Sequence, residues 1–240
     1  MVTYVPDRTG RFAERPHYKP PELDRECENV ITKFLKEQHG EAKYPVSTED
    51  LTKLIERDAE DLDLYADLSG YGPAVEGMTV FTPGRRSRVM ISEVLSGDQR
   101  NENRLRTTLT HEYGHMHFHG YLWEFQAPHP DLFQRKTSVG EQTCKRDTML
   151  DSAQTDWMEW QAGYACGALL MPVTPLSALV REYKEGHDLY GAVGTKDAHA
   201  LALIDAVQKT FAVSADAARV RLIKIGALAA VGAGPSLLSV

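Results

Sequence analysis

The stretch Leu109-Thr110-His111-Glu112-Tyr113-Gly114-His115 constrains this chain more than any other. It reads H-E-x-x-H, and two histidines at that spacing share one face when the backbone is an α-helix. The flanks agree with a helix. Asn101-Glu102-Asn103 offers N-cap residues, Arg104 to His119 contains no Gly or Pro except Gly114, and Gly120 supplies a stop. Leu105, Thr108, Leu109, Tyr113 and Phe118 can face a core. On such a helix the His111 and His115 imidazoles can hold one zinc-like ion at two corners of a tetrahedron. Glu112 falls about 100° further round. From there its carboxylate reaches a water on the ion without ligating the ion, which suits a general base. The plainer alternative is an amphipathic helix whose histidines only cap or pack. The helical context and a downstream third ligand weigh against it.

That third ligand is Glu159. Asp156 to Met171 reads as a helix ended by Pro172, and its Ala162, Gly163, Ala165, Gly167 and Ala168 let another helix come close. The expected neighbour is the His111 helix. A glutamate oxygen completes a His2Glu set with an open fourth position, the arrangement of catalytic rather than structural zinc. The alternative for Glu159 is an ordinary surface carboxylate. Zinc (Zn2+) is the default ion, and manganese (Mn2+) or iron (Fe2+) could fill the same set. A metzincin pattern fails on spacing, because its third histidine would fall at Tyr121 and its glycine at Phe118. His119 lies on the same general face as His115, one turn on, and is expected at the helix end or against substrate. His117 points roughly opposite and is expected to be packed or exposed. Tyr121 and His119 are both weak candidates for an oxyanion donor, and neither is assigned.

The chain of 240 residues can bury a sizeable core, and its 42% hydrophobic and 25% charged fractions are ordinary for a globular protein. A net charge of −7 provides no global field for nucleic acid. The three cysteines, Cys27, Cys144 and Cys166, are odd in number and too widely spaced for a disulfide framework or a zinc knuckle. No signal-like segment opens the sequence and no apolar run reaches spanning length; Ile225 to Val240 is interrupted by Gly226, Gly232, Gly234 and Pro235. A cytoplasmic setting without a membrane is expected.

Three regions are expected. Residues 1–45 hold an extended arm up to residue 19, then a helix from Pro20-Pro21 to Gly40 carrying Leu23, Cys27, Val30, Ile31, Phe34 and Leu35 at helical spacing. Residues 46–173 form the core. Ser47-Thr48-Glu49-Asp50 has the form of a capping box. The alternation from Leu62 to Asp67 predicts a strand, and Met78–Thr82 and Arg88–Ser92 predict a hairpin. The edge of that sheet either accepts an extended peptide beside the metal or is covered by a loop. Residues 121–153 read as a long irregular segment forming one wall of a cleft. Within it Cys144 could reach the ion as an inhibitory thiolate, or be an inert buried cysteine. Residues 174–240 are helical. A helix opened by Thr195, a Val213-Ser214 turn and a helix bearing Arg219, Arg221 and Lys224 resemble a helix-turn-helix. Net acidity argues against strong DNA binding, and direct DNA contact would run through 196–225.

At this point the chain resembles the ImmA/IrrE family of zinc-dependent metallopeptidases. Arg106 to His115 is similar to the family's stretch leading into H-E-x-G-H. Glu159-Trp160-Gln161-Ala162-Gly163 with Ala168-Leu169-Leu170-Met171-Pro172 is similar to its second motif, and Phe211-Ala212-Val213-Ser214 with Arg221-Leu222 to its helical tail. The likeness covers roughly residues 45 to 226. Where the family often has Glu-x-Glu-Ala-Asn, this chain has Gln161 and Gly163, so the ligand role falls to Glu159 alone. The resemblance implies an α+β fold with a thermolysin-like minimal metallopeptidase core, a small sheet plus active-site helices, with additional N- and C-terminal helices. It implies an endopeptidase that cuts a helix-turn-helix transcriptional repressor and so releases stress or mobile-element genes. The competing expectation is a non-catalytic regulator that binds DNA or a repressor, or a toxin–antitoxin component, around a structural or silent metal site.

Overall fold

The computed structural model describes residues 2–124, the backbone of 140–145, and 156–229. The chain opens with β1 (Thr3–Pro6) and β2 (Glu14–His17), an antiparallel pair. The expected extended arm is therefore folded back on itself. The Asp7 carboxylate accepts the N–H groups of Thr9 and Phe12, which shapes the turn. Phe12 then packs edge-on against Trp123 and Trp157.

Helix α1 (Pro20–His39) starts on its two prolines, with the Glu22 carboxylate closing back on the Lys19 N–H. It ends at Gly40, whose φ of 80° suits a residue without a side chain. Helix α2 (Thr48–Asp58) is capped by Ser47, which accepts the Asp50 N–H. Asp50 itself takes the Ser47 hydroxyl and the His39 ring, so only half of the expected capping box forms.

A four-stranded sheet follows, with β3 (Asp61–Ala66), β4 (Val75–Phe81), β5 (Arg88–Ser92) and β6 (Gly140–Lys145) in the order β3-β5-β4-β6. β3 runs parallel to β5; β4 runs antiparallel to both neighbours. The expected hairpin is present, with Met78 opposite Met90. The edge beside β4 is not open, because β6 pairs along it and sets Gly77 opposite Cys144 and Thr79 opposite Gln142. Residues 121–153 are accordingly not irregular throughout, since they also contain the short helix α5 (Tyr121–Glu124). Residues 125–139 and 146–155, and the Cys144 side chain with its suggested latch role, lie outside the described residues.

The helices complete the fold: α3 (Glu93–Ser96), α4 (Glu102–His119), α6 (Trp157–Leu170), α7 (Val173–Glu185), α8 (Ala198–Phe211) and α9 (Ala215–Lys224). α8 begins after Asp197, whose side chain caps the His199 N–H, three residues later than the Thr195 start expected. One apolar core runs through Leu23 and Phe34 of α1, Leu54 of α2, Ile91 of β5, Leu109 of α4, Leu169 of α6, Leu203 of α8 and Leu222 of α9. The described residues of the three expected regions therefore share one core, and the class is α+β. Among the described residues no single helix is long and apolar enough to cross a membrane.

Two buried arginines fasten the C-terminal helices. Arg106 of α4 donates to the carbonyls of Phe211 and Ala212, satisfying the end of α8 where Ala212 turns left-handed. Arg221 of α9, 1% exposed, lies 2.6 Å from the Asp24 carboxylate and donates to the Met171 carbonyl. Lys224 sits 5.2 Å from the Tyr164 ring, and Arg219 pairs with Asp216. Of the three cations on the helix that resembles part of a helix-turn-helix, Arg221 thus points into the protein. Removing one partner of a buried pair strands the other. Asp24→Leu is expected to cost about 3–5 kcal/mol in urea unfolding, and adding Arg221→Met is expected to restore most of that loss.

Candidate metal centre

Helix α4 lies between the sheet and α6, and it is buried almost all round from Arg106 to Met116. The approach of α6 is set by small residues. A Cβ placed on Gly114 would lie 3.1 Å from the Ala162 Cα and 3.2 Å from the Ala165 Cβ. Of the small residues read from the sequence, Ala162 and Ala165 meet α4 at Gly114, while Gly167 faces Arg221 of α9. That contact brings Glu159, in the first turn of α6, over the two histidines of α4.

The three predicted ligands converge. His111 Nε2 lies 3.1 Å from His115 Nε2 and 3.3 Å from Glu159 Oε2, and His115 Nε2 lies 3.2 Å from Glu159 Oε1. Bonds of about 2.0–2.1 Å to a tetrahedral ion would set neighbouring ligand atoms about 3.3–3.4 Å apart. The triangle fits such an ion, and two imidazoles with one carboxylate are the donors it takes. Both histidines are fully buried, and the Glu159 side chain is 13% exposed. Burial by itself raises the Glu159 carboxyl, but the adjacent His115 and His111 rings overcome it and hold it far below the usual carboxylate range. Burial pulls His115 down, and Glu159 more than reverses that.

Glu112 turns toward the sheet. The Thr79 hydroxyl of β4 donates to its Oε2 at 2.5 Å. Gly77, two residues earlier on the same strand, makes room for it: a Cβ there would lie 2.7 Å from Glu112 Oε1 and 2.9 Å from its Cγ. Sequence reasoning missed both residues. Thr79 and Gly77 share a face of β4, but nothing in a Gly-Met-Thr run announces which helix that face meets.

His119 closes α4, one of its two expected places, but it faces inward. It is fully buried beneath His115, with Nδ1 3.3 Å from His115 Nδ1 and Nε2 3.0 Å from Gln161 Oε1. Burial and the nearby His115 ring push it well below the ordinary histidine range. Gln161, 1% exposed, in turn donates to the Pro16 carbonyl of β2 at 3.0 Å. His117 points away as expected, toward Glu26 and stacked on Tyr113. The Tyr121 hydroxyl pairs with that of Tyr4 at 3.0 Å.

Elemental analysis should find about one zinc per chain in the wild type and in His117→Ala, and almost none in Glu159→Ala, since the latter removes one corner of the ligand set. Gly114→Ala forces its methyl against α6, so it should lower stability by about 1–3 kcal/mol in chemical unfolding and weaken zinc retention. Compared with known proteins, the chain matches no family model, no curated protein and no solved structure.

Proposed function

We propose that this chain is a zinc-dependent endopeptidase in which His111, His115 and Glu159 hold the ion and Glu112 is the general base. The observation that carries the reading is the ligand triangle of 3.1–3.3 Å with an additional, non-ligating carboxylate anchored beside it. When bound, zinc supplies Lewis-acid chemistry, polarising a carbonyl and making a water more acidic. Glu112 takes the proton of the attacking water and then delivers it to the leaving amine. Thr79 fixes the plane of that carboxylate, so its proton-accepting edge does not have to be found anew in each turnover. Burial of Glu112 removes competing water and strengthens the field it feels.

Strand β4 beneath α4, and a second helix that brings a glutamate to the two histidines, make up the elements of a thermolysin-like minimal core. The choice of a helix-turn-helix repressor as substrate rests on the resemblance of Arg106–His115 and Glu159–Pro172 to the ImmA/IrrE motifs. The same resemblance supports a regulatory cut rather than general digestion.

The decisive variant is Glu112→Gln, which is nearly isosteric and keeps the three ligands. It should retain wild-type zinc and lose at least about 100-fold in cleavage rate, the usual worth of a positioned base. Cleavage is read by mass spectrometry of helix-turn-helix repressors co-expressed with each protein. A Glu112→Gln protein as active as the wild type would remove catalysis from the account.

A further inference from the structure

Behind the ligand triangle runs a chain of hydrogen-bonding atoms whose protons have one consistent arrangement when His115 serves as a ligand through Nε2. Its far end is a group that can only accept, the main-chain carbonyl of Pro16. Gln161 Nε2 donates to that carbonyl at 3.0 Å, which turns Oε1 of the same amide toward His119 Nε2, also at 3.0 Å. Turning the amide over would set two acceptors face to face at Pro16. Since Oε1 accepts, His119 Nε2 carries the hydrogen. A neutral imidazole then presents its other nitrogen as an acceptor, and His119 Nδ1 lies 3.3 Å from His115 Nδ1. His115 Nδ1 therefore donates, and its Nε2 keeps the lone pair directed at the point shared with His111 and Glu159. Trp157 closes the other side of the relay, edge-on to the His119 ring at 5.2 Å.

We propose that His119 and Gln161 are positioning residues for the metal: they lock His115 in the Nδ1–H tautomer and fix its ring plane, with the Pro16 carbonyl of the N-terminal hairpin as the end of the relay. This rests on the reading of His111, His115 and Glu159 as ligands. Metal-bound histidines ordinarily donate their second N–H to a carboxylate or a carbonyl. Here the acceptor is a second imidazole, so orientation comes without another negative charge next to Glu159. His119 acts through His115 and does not touch the substrate.

Zinc affinity, measured by competition with a chromophoric chelator, tests the assignment. His119→Phe keeps an aromatic body and removes the acceptor; it should weaken zinc binding about 10–100-fold. Gln161→Met should act in the same direction. His119→Gln, which restores an acceptor oxygen, should recover much of the loss. A second measurement needs no variant: long-range proton–nitrogen NMR on the zinc-loaded wild type. It should find His115 protonated at Nδ1 and His119 protonated at Nε2 alone. The reverse tautomer at His119 overturns the assignment, as does a His119→Phe protein with an unchanged unfolding curve and wild-type zinc affinity. A wild type that takes up no zinc overturns the metal-centre reading along with it, whereas normal zinc binding in both proteins removes the relay only.

Discussion

The contact between α4 and α6 at Gly114 and Ala162 is the constraint from which the rest follows. Two helices can come this close only where neither presents a side chain of any size. The reward is distance: at this separation a glutamate in the first turn of α6 reaches two histidines on α4 with all three ligand atoms 3.1–3.3 Å apart. A bulkier residue at either position would lift α6 and open the triangle. The same logic holds on the opposite face of α4, where Gly77 admits the Glu112 side chain against the sheet. α4 is thus gripped from two sides at places chosen by the absence of atoms, and its polar residues occupy the space so created.

Burying three histidines and two glutamates in one region would be unfavourable unless each polar group were directed. The arrangement is layered. Thr79 holds Glu112, the triangle joins Glu159 to His111 and His115, and His119 with Gln161 carries the remaining hydrogen bonds out to the Pro16 carbonyl. Each layer comes from a different part of the chain. β4 lies before α4 in sequence, α6 after it, and β2 close to the start. The N-terminal hairpin and the C-terminal helices consequently act as clamps on a core built from the middle of the chain. Phe12 packs on Trp123 and Trp157, Arg106 ties α4 to α8, and Arg221 ties α9 to α1.

What was legible in the sequence is what local chemistry controls. Pro20-Pro21 and Gly40 bound α1, Ser47 caps α2, and the two runs around Met78 and Met90, parted by Pro83-Gly84, make the hairpin. The candidate metal ligands were legible for another reason. α4 is buried nearly all round and carries little amphipathic pattern, so His111 and His115 were found by coordination chemistry rather than by periodicity. Features that depend on a distant partner were not legible. Gly-Glu-Gln-Thr-Cys-Lys has no apolar alternation and becomes β6 because β4 offers a ladder to pair with. Arg221 sits on a helix that also bears Arg219 and Lys224, yet Asp24, far away in sequence, draws it inward. His119 has the right face for a ligand, and only the position of α6 decides that it meets Gln161 instead.

Gln161 shows how one buried residue of the site can be tied to a remote element. A glutamate at this position would keep an acceptor for His119 but would lose the N–H that meets Pro16, leaving a carboxylate oxygen against a carbonyl with no proton between them. It would also add a negative charge within reach of Glu159, whose carboxylate already lies against both histidines. The amide avoids both costs, but only while β2 supplies the Pro16 carbonyl to accept from it. The amide at 161 and the N-terminal hairpin are therefore one device, and a chain with a carboxylate at this position would need a donor, not a carbonyl, where Pro16 now lies.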